Sequence, residues 1–155
     1  MTAIPSHPIP SHQLKQKEHM TPSSLALVLY AAWTLLLLIA IAALRTSETL
    51  ARRRPRNGFA VFGEGVSAFS ERLCRAHANC YENLPAFAAL VLVAITAGHS
   101  EVTDPLAVWL VVARVGQSVT HLVSTRNWAL NLRFVFFVAQ MGVPLWWAIS
   151  LVRLA

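Results

Sequence analysis

The segment 25–44, LALVLYAAWTLLLLIAIAAL, carries no charged side chain. A helix needs about 20 mostly apolar residues to cross the hydrocarbon core of a bilayer, and this run meets that length without interruption. Three further segments qualify. The apolar stretch that begins at Leu84 is short by itself but becomes long enough when extended back to Arg75, giving a span over 75–97. A third covers 105–123 with Arg114 inside it, and a fourth covers 134–152 with Gln140 and Pro144 inside it. Composition agrees: 55% of the chain is hydrophobic and 13% charged, against about 45–50% and 25% in soluble domains. The expected fold is all-α, an integral membrane four-helix bundle over 23–155. Ahead of it, 1–22 contains MTAIPSHPIPSHQLKQKEHM, rich in proline and polar residues and without the basic and apolar blocks of a signal peptide. It reads as a disordered tail, and Met20, just before the polar TPSS, is a second candidate start.

Loop charges orient the bundle. The formal net charge is +6, and most of the basic residues fall on one side. Arg45, Arg52, Arg53, Arg54 and Arg56 follow the first span, and Arg126 and Arg133 lie between the third and fourth. The opposite loop, GHSEVTD, has no Lys or Arg. Positive loops face the cytoplasm, so loops 45–71 and 124–132 are expected there and both termini outside. The ARRRPR run then needs no nucleic-acid partner: it is a topology signal that also meets anionic lipid. Cys74 and Cys80 are too far around a helix to pair and have no metal-ligand spacing; they read as small apolar fillers.

Polar residues inside the spans share faces at helical spacing. Arg72, Arg75, Asn79 and Glu82 form one stripe on the second helix. Arg114, Gln117, Ser118 and His121 form one on the third, and Arg133 aligns with Gln140 on the fourth. Counting at 1.5 Å per residue from the cytoplasmic ends puts Glu82 about 15 Å deep and Arg114 about 14 Å deep. An unpaired charge at that depth is costly, so Glu82 and Arg114 are expected to form a buried structural pair. Nearer the surface, arginine, asparagine and histidine around one cavity suit a carboxylate-bearing ligand. An intramembrane carboxylate at Glu82 also admits a small proton-coupled transporter, a reading weakened by its expected arginine partner.

At RAHANCYENLPAF the chain resembles the MAPEG family, membrane-associated proteins in eicosanoid and glutathione metabolism. The pattern R-A-H-x-N-x-x-E followed by proline is carried by Arg75, Ala76, His77, Asn79, Glu82 and Pro85. Arg114 on the third helix and Leu132–Arg133 at the start of the fourth extend the likeness. The resemblance implies a homotrimer of four-helix subunits holding glutathione between neighbours near the cytoplasmic side. It further implies a transferase or peroxidase that acts on lipophilic electrophiles in the membrane. By position, Arg75, Asn79 and Glu82 would contact the glutathione peptide, with Gln117 and His121 beside them. Arg133 would be catalytic, stabilising the thiolate, since nearby positive charge lowers a thiol pKa. His121 stands where many members have tyrosine, and Phe134 where some have serine; these departures leave open a non-catalytic member that binds a lipid-like or anionic ligand. Arg126 remains an alternative to Arg133. No metal site is expected, because His121 has no second ligand at suitable spacing.

Overall fold

A computed structural model describes residues 20–155. The expected tail lies outside the described residues up to position 19; of its last positions, Thr21 caps the first helix and Pro22 begins it. Four helices follow: α1 (Pro22–Leu50), α2 (Ala68–Thr96), α3 (Asp104–Val123) and α4 (Asn127–Leu154). A single 3-10 turn, Ser100–Val102, joins α2 to α3. All four helices are long and apolar enough to cross a membrane, and the chain is a multi-pass integral membrane protein. α1 has 29 residues, about 43 Å at helical rise, so its ends stand out of a hydrocarbon core of about 30 Å.

Local chemistry sets the ends. Thr21 caps α1 by accepting from the Ser24 backbone N–H, with Pro22 next, where a missing N–H costs nothing. Asp104 Oδ1 accepts from the Ser23 backbone N–H at 3.0 Å, and Ser23 Oγ lies 2.7 Å from Thr103 Oγ1. Those contacts tie the start of α1 to the start of α3. Ser67 caps α2 in the same manner. At the far end of α1, Arg52 N–H donates to the Thr49 carbonyl and Arg53 N–H to that of Glu48. This is a Schellman closure with Arg52, at φ 56°, in the left-handed position that glycine usually fills.

Helix ends differ from the sequence expectation in one consequential way. The loop placed at 124–132 is mostly helix: α4 already begins at Asn127, so the connection is Ser124 to Arg126 alone. WALNLR consists of residues compatible with helix and has no breaker, and Arg133 therefore sits inside α4 rather than at its edge. Likewise the stretch 45–71 is loop only between Ala51 and Ser67.

α1 packs on α2 and α3, and α3 on α4. The centre holds a chain of aromatic rings, Tyr30–Phe87 at 5.1 Å and Phe87–Trp147 at 6.0 Å. Around it are Leu37, Leu73, Val91 and Leu110. Cys74 and Cys80 are free and buried within this core. The outer faces of α1 and α4 expose Leu35, Ile39, Phe134, Val135 and Leu145, surfaces suited to lipid or to another copy of the chain.

Candidate functional site

The polar stripe of α2 lies on the outside of the chain. Arg75 and Glu82 are exposed and Asn79 half-buried. Together with Ala78 they line an open groove of about 430 Å3, whose other wall is Phe62 and Glu64 from the loop before α2. The loop is held in place from below. Arg45 sits over the Phe59 ring at 5.7 Å and donates to the Ala60 carbonyl at 2.9 Å. Arg54 donates to the carbonyls of Gly58 and Gly65, so part of the ARRRPR charge is spent on loop structure. Glu64 is a site residue that the sequence reading missed. The sequence shows only the Gly-Glu-Gly run at 63–65; in the fold both glycines take positive φ, a tight turn that aims the side chain between them.

Gly63 sets the wall's position. A Cβ there would lie 2.6 Å from Ser70 Oγ, 2.9 Å from the Ser70 carbonyl and 3.0 Å from Cys74 Sγ, at a φ of +77°. Gly63→Ala is expected to lower stability by about 2 kcal/mol or more, measured as thermal unfolding in detergent, because the turn must lift off α2 and take Phe62 and Glu64 with it.

A second polar cluster lies between α3 and α4. Arg114 Nη1 donates to Gln117 Oε1 at 2.8 Å, and Gln140 Nε2 donates to the same oxygen at 3.2 Å. Gln117 Nε2 donates to the Arg133 carbonyl at 3.2 Å. The amide of Gln117 is thus engaged at both ends and buried; it links helices more than it faces a ligand, unlike the role implied by its stripe. His121 and Arg133 stand side by side, with Arg133 Nη1 against His121 Nδ1. A guanidinium only donates, so Nδ1 accepts and the imidazole proton rests on Nε2. That Nε2 is buried and has no partner among the described residues. Arg126 is exposed at the N-cap of α4, and of the two arginines only Arg133 adjoins His121. Phe134, where some relatives of the pattern have serine, is 66% exposed on the outer face.

The expected Glu82–Arg114 pair is not made within the chain. Arg114 is 2% exposed and lies over the Tyr30 ring at 5.7 Å, while Glu82 is exposed in the outer groove. The depth count matched the two residues, but depth says nothing of the direction around the helix. One residue on, about 100° around at 3.6 residues per turn, Asn83 is the polar α2 residue that lines the space beside Arg114, with Ala86 and Phe87. Arg72 also leaves the stripe: its Nε donates to the Leu122 carbonyl at 3.0 Å, tying α2 to the end of α3. Among the described residues the ion pairs are Arg53–Glu48 and His99–Glu101, both away from this region.

The chain therefore carries two separate polar clusters. Arg75, Asn79, Glu82 and Glu64 face outward from α2, and Arg133 with His121 lies across α3 and α4. The groove on α2 borders no residue of α3 or α4. The profile of the MAPEG family matches residues 23–153. The chain belongs to the MAPEG family. Comparison with curated proteins and with solved structures returns no match. The match spans all four helices and the loop bearing Glu64, so both clusters of this MAPEG protein fall inside the family region.

Proposed function

We propose that this MAPEG protein is a glutathione-dependent transferase or peroxidase for lipophilic electrophiles, working as a homotrimer with the α2 groove of one subunit facing the Arg133–His121 pair of the next. The observation that carries the reading is the mixed charge of the groove. Arg75 offers a guanidinium for a carboxylate, and Glu64 and Glu82 offer carboxylates for an ammonium. Asn79 adds a neutral amide between them. Glutathione bears both kinds of charge on a short peptide, and such charge-assisted contacts are among the stronger hydrogen bonds. The orphaned, buried His121 Nε2 supplies a further donor with nothing of its own chain to satisfy it.

Bound glutathione supplies the sulfur nucleophile. Arg133 holds positive charge at the sulfur and favours its deprotonated form. His121 fixes the guanidinium through Nδ1 and leaves its Nε2–H directed at an acceptor. The apolar exterior of α1 and α4 brings membrane-dissolved electrophiles to the same level without passage through water. The arginine-bearing ends, with loops 51–67 and 124–126, lie on the cytoplasmic side by the distribution of positive charge, and both termini lie outside.

Isothermal titration of the detergent-solubilised protein with glutathione tests the reading: saturable binding below millimolar ligand is expected, and no heat at millimolar ligand refutes it. The replacement of the family's usual tyrosine by His121 favours one competing account, a non-catalytic member that only binds. Turnover of a generic aromatic electrophile such as chlorodinitrobenzene, dependent on Arg133, would dismiss that account.

A further inference from the structure

The first helix ends in a basic groove that neither polar cluster uses. Arg45 follows the last residue of the charge-free segment 25–44, so the final turns of α1 stand at the level of the lipid headgroups. Arg45, Thr46, Thr49 and Leu50 from those turns, with Arg56 and Phe59 from the loop, enclose about 380 Å3. No carboxylate lines this space among the described residues, and Glu48, the one acidic residue of α1, is held by Arg53 at 3.3 Å. Arg45 spends only Nη2 on the chain, donating to the Ala60 and Val61 carbonyls, while its cation lies over the Phe59 ring. Its Nε and Nη1 have no acceptor among the described residues, and neither has any part of the Arg56 guanidinium. The Thr49 hydroxyl donates to the Arg45 carbonyl at 3.0 Å, whereas that of Thr46 is uncommitted. Two like charges in one groove repel, and an anion between them offsets both. Below the groove the surface is apolar. Leu35, Leu38, Ile39 and Ala42 continue the line of Thr46 at helical spacing towards the membrane centre, and all four are exposed.

We propose that this groove is a discrete binding site for an anionic glycerophospholipid, its phosphate between Arg45 and Arg56 and its acyl chains along Leu35, Leu38 and Ile39. Guanidinium and phosphate make short, often bidentate hydrogen bonds, and the free Thr46 hydroxyl adds a donor beside them. Basic pockets next to membrane spans hold anionic headgroups in this way. A zwitterionic headgroup brings an ammonium up to the same arginines, so a headgroup of net negative charge is preferred. A soluble phosphate satisfies the arginines but leaves the apolar stripe uncovered, which favours the lipid. The site belongs to α1 and its loop and does not depend on the glutathione reading.

Titration of the full-length protein in a neutral detergent, at about 0.15 M salt where exposed charges more than about 8 Å apart are screened, separates a built site from a merely basic surface. The probes are dihexanoyl phosphatidylglycerol, dihexanoyl phosphatidylcholine and glycerophosphoglycerol, which is the first headgroup without its chains. Phosphatidylglycerol is expected to bind at least about tenfold more tightly than either of the others, through net charge against the one and buried chain against the other. Arg56 is exposed and makes no hydrogen bond among the described residues, so Arg56→Gln leaves the fold intact and should weaken phosphatidylglycerol binding by about tenfold or more. Arg52→Gln removes a neighbouring charge outside the groove and should change that affinity by less than about twofold. Equal affinity for phosphatidylcholine would overturn the assignment. Equal affinity for glycerophosphoglycerol would overturn it too, by making the groove a site for soluble phosphates. Equal losses in Arg52→Gln and Arg56→Gln would reduce the groove to part of a diffuse basic surface and sink the proposal.

Discussion

Arg133→Ala is expected to lower conjugation turnover by about a hundredfold or more, the usual cost of removing one group that stabilises developing or resident negative charge in a water-poor site. Glutathione affinity should change much less, because the peptide's own charges are read by α2. The pH profile separates this role from a structural one. With Arg133 present, the thiol is expected to lose its proton well below its ordinary pKa near 8.5, and the rate should already be level at neutral pH. Without it the thiol returns to its ordinary range, so the variant's rate should keep rising as pH climbs through that range. The ultraviolet difference spectrum of the bound thiolate at neutral pH should vanish in parallel. A variant that loses turnover but keeps the wild-type pH profile would place Arg133 in packing alone. Arg133 also holds His121 through Nδ1, so part of the loss reflects a freed imidazole. Arg133→Lys, which keeps the charge but not the planar donor fork, should restore the pH profile more fully than the rate.

Arg75→Ala is the complementary case. Here the lost contact is to a carboxylate in the ground state, made equally before and during reaction, and removal of such binding raises KM with little change in kcat. A charge-assisted hydrogen bond is worth about 1.5–3 kcal/mol, so titration should show affinity weakened by about ten- to a hundredfold. Arg75 is exposed and takes part in no hydrogen bond or ion pair among the described residues, so thermal stability of the solubilised protein should be nearly unchanged. A loss of kcat at saturating glutathione would instead mean that Arg75 acts on the reacting sulfur.

Four helices were legible because a span is written in length and hydropathy alone, and segment 25–44 shows it without a charge. Their ends were less so. α4 starts at Asn127 because nothing in WALNLR breaks a helix, yet that piece is polar enough to have looked like loop. Stripes were legible where periodicity alone decides them: Arg75, Asn79 and Glu82 do share one groove. Arg133 and His121 adjoin one another. The Glu82–Arg114 pair failed because two residues at equal depth need also to face each other, and the azimuth between neighbouring helices depends on packing that no single helix encodes. For the same reason Asn83 went unnoticed, one residue along and facing inward. Glu64 was hidden by its loop, whose course is set by two positive-φ glycines and by arginines that bond to carbonyls at a distance in sequence.

The division of the site between subunits is the claim on which the rest turns. Arg75→Ala and Arg133→Ala, each expressed alone, should be nearly inactive at low glutathione, the first through affinity and the second through turnover. Coexpressed in equal amounts, they form mixed oligomers in which about a quarter of the subunit boundaries join an intact α2 groove to an intact Arg133, by random pairing around a closed ring. The account predicts recovery of about a quarter of wild-type activity at low glutathione. Activity no higher than the average of the two separate variants would contradict it, placing both halves of the site in one chain.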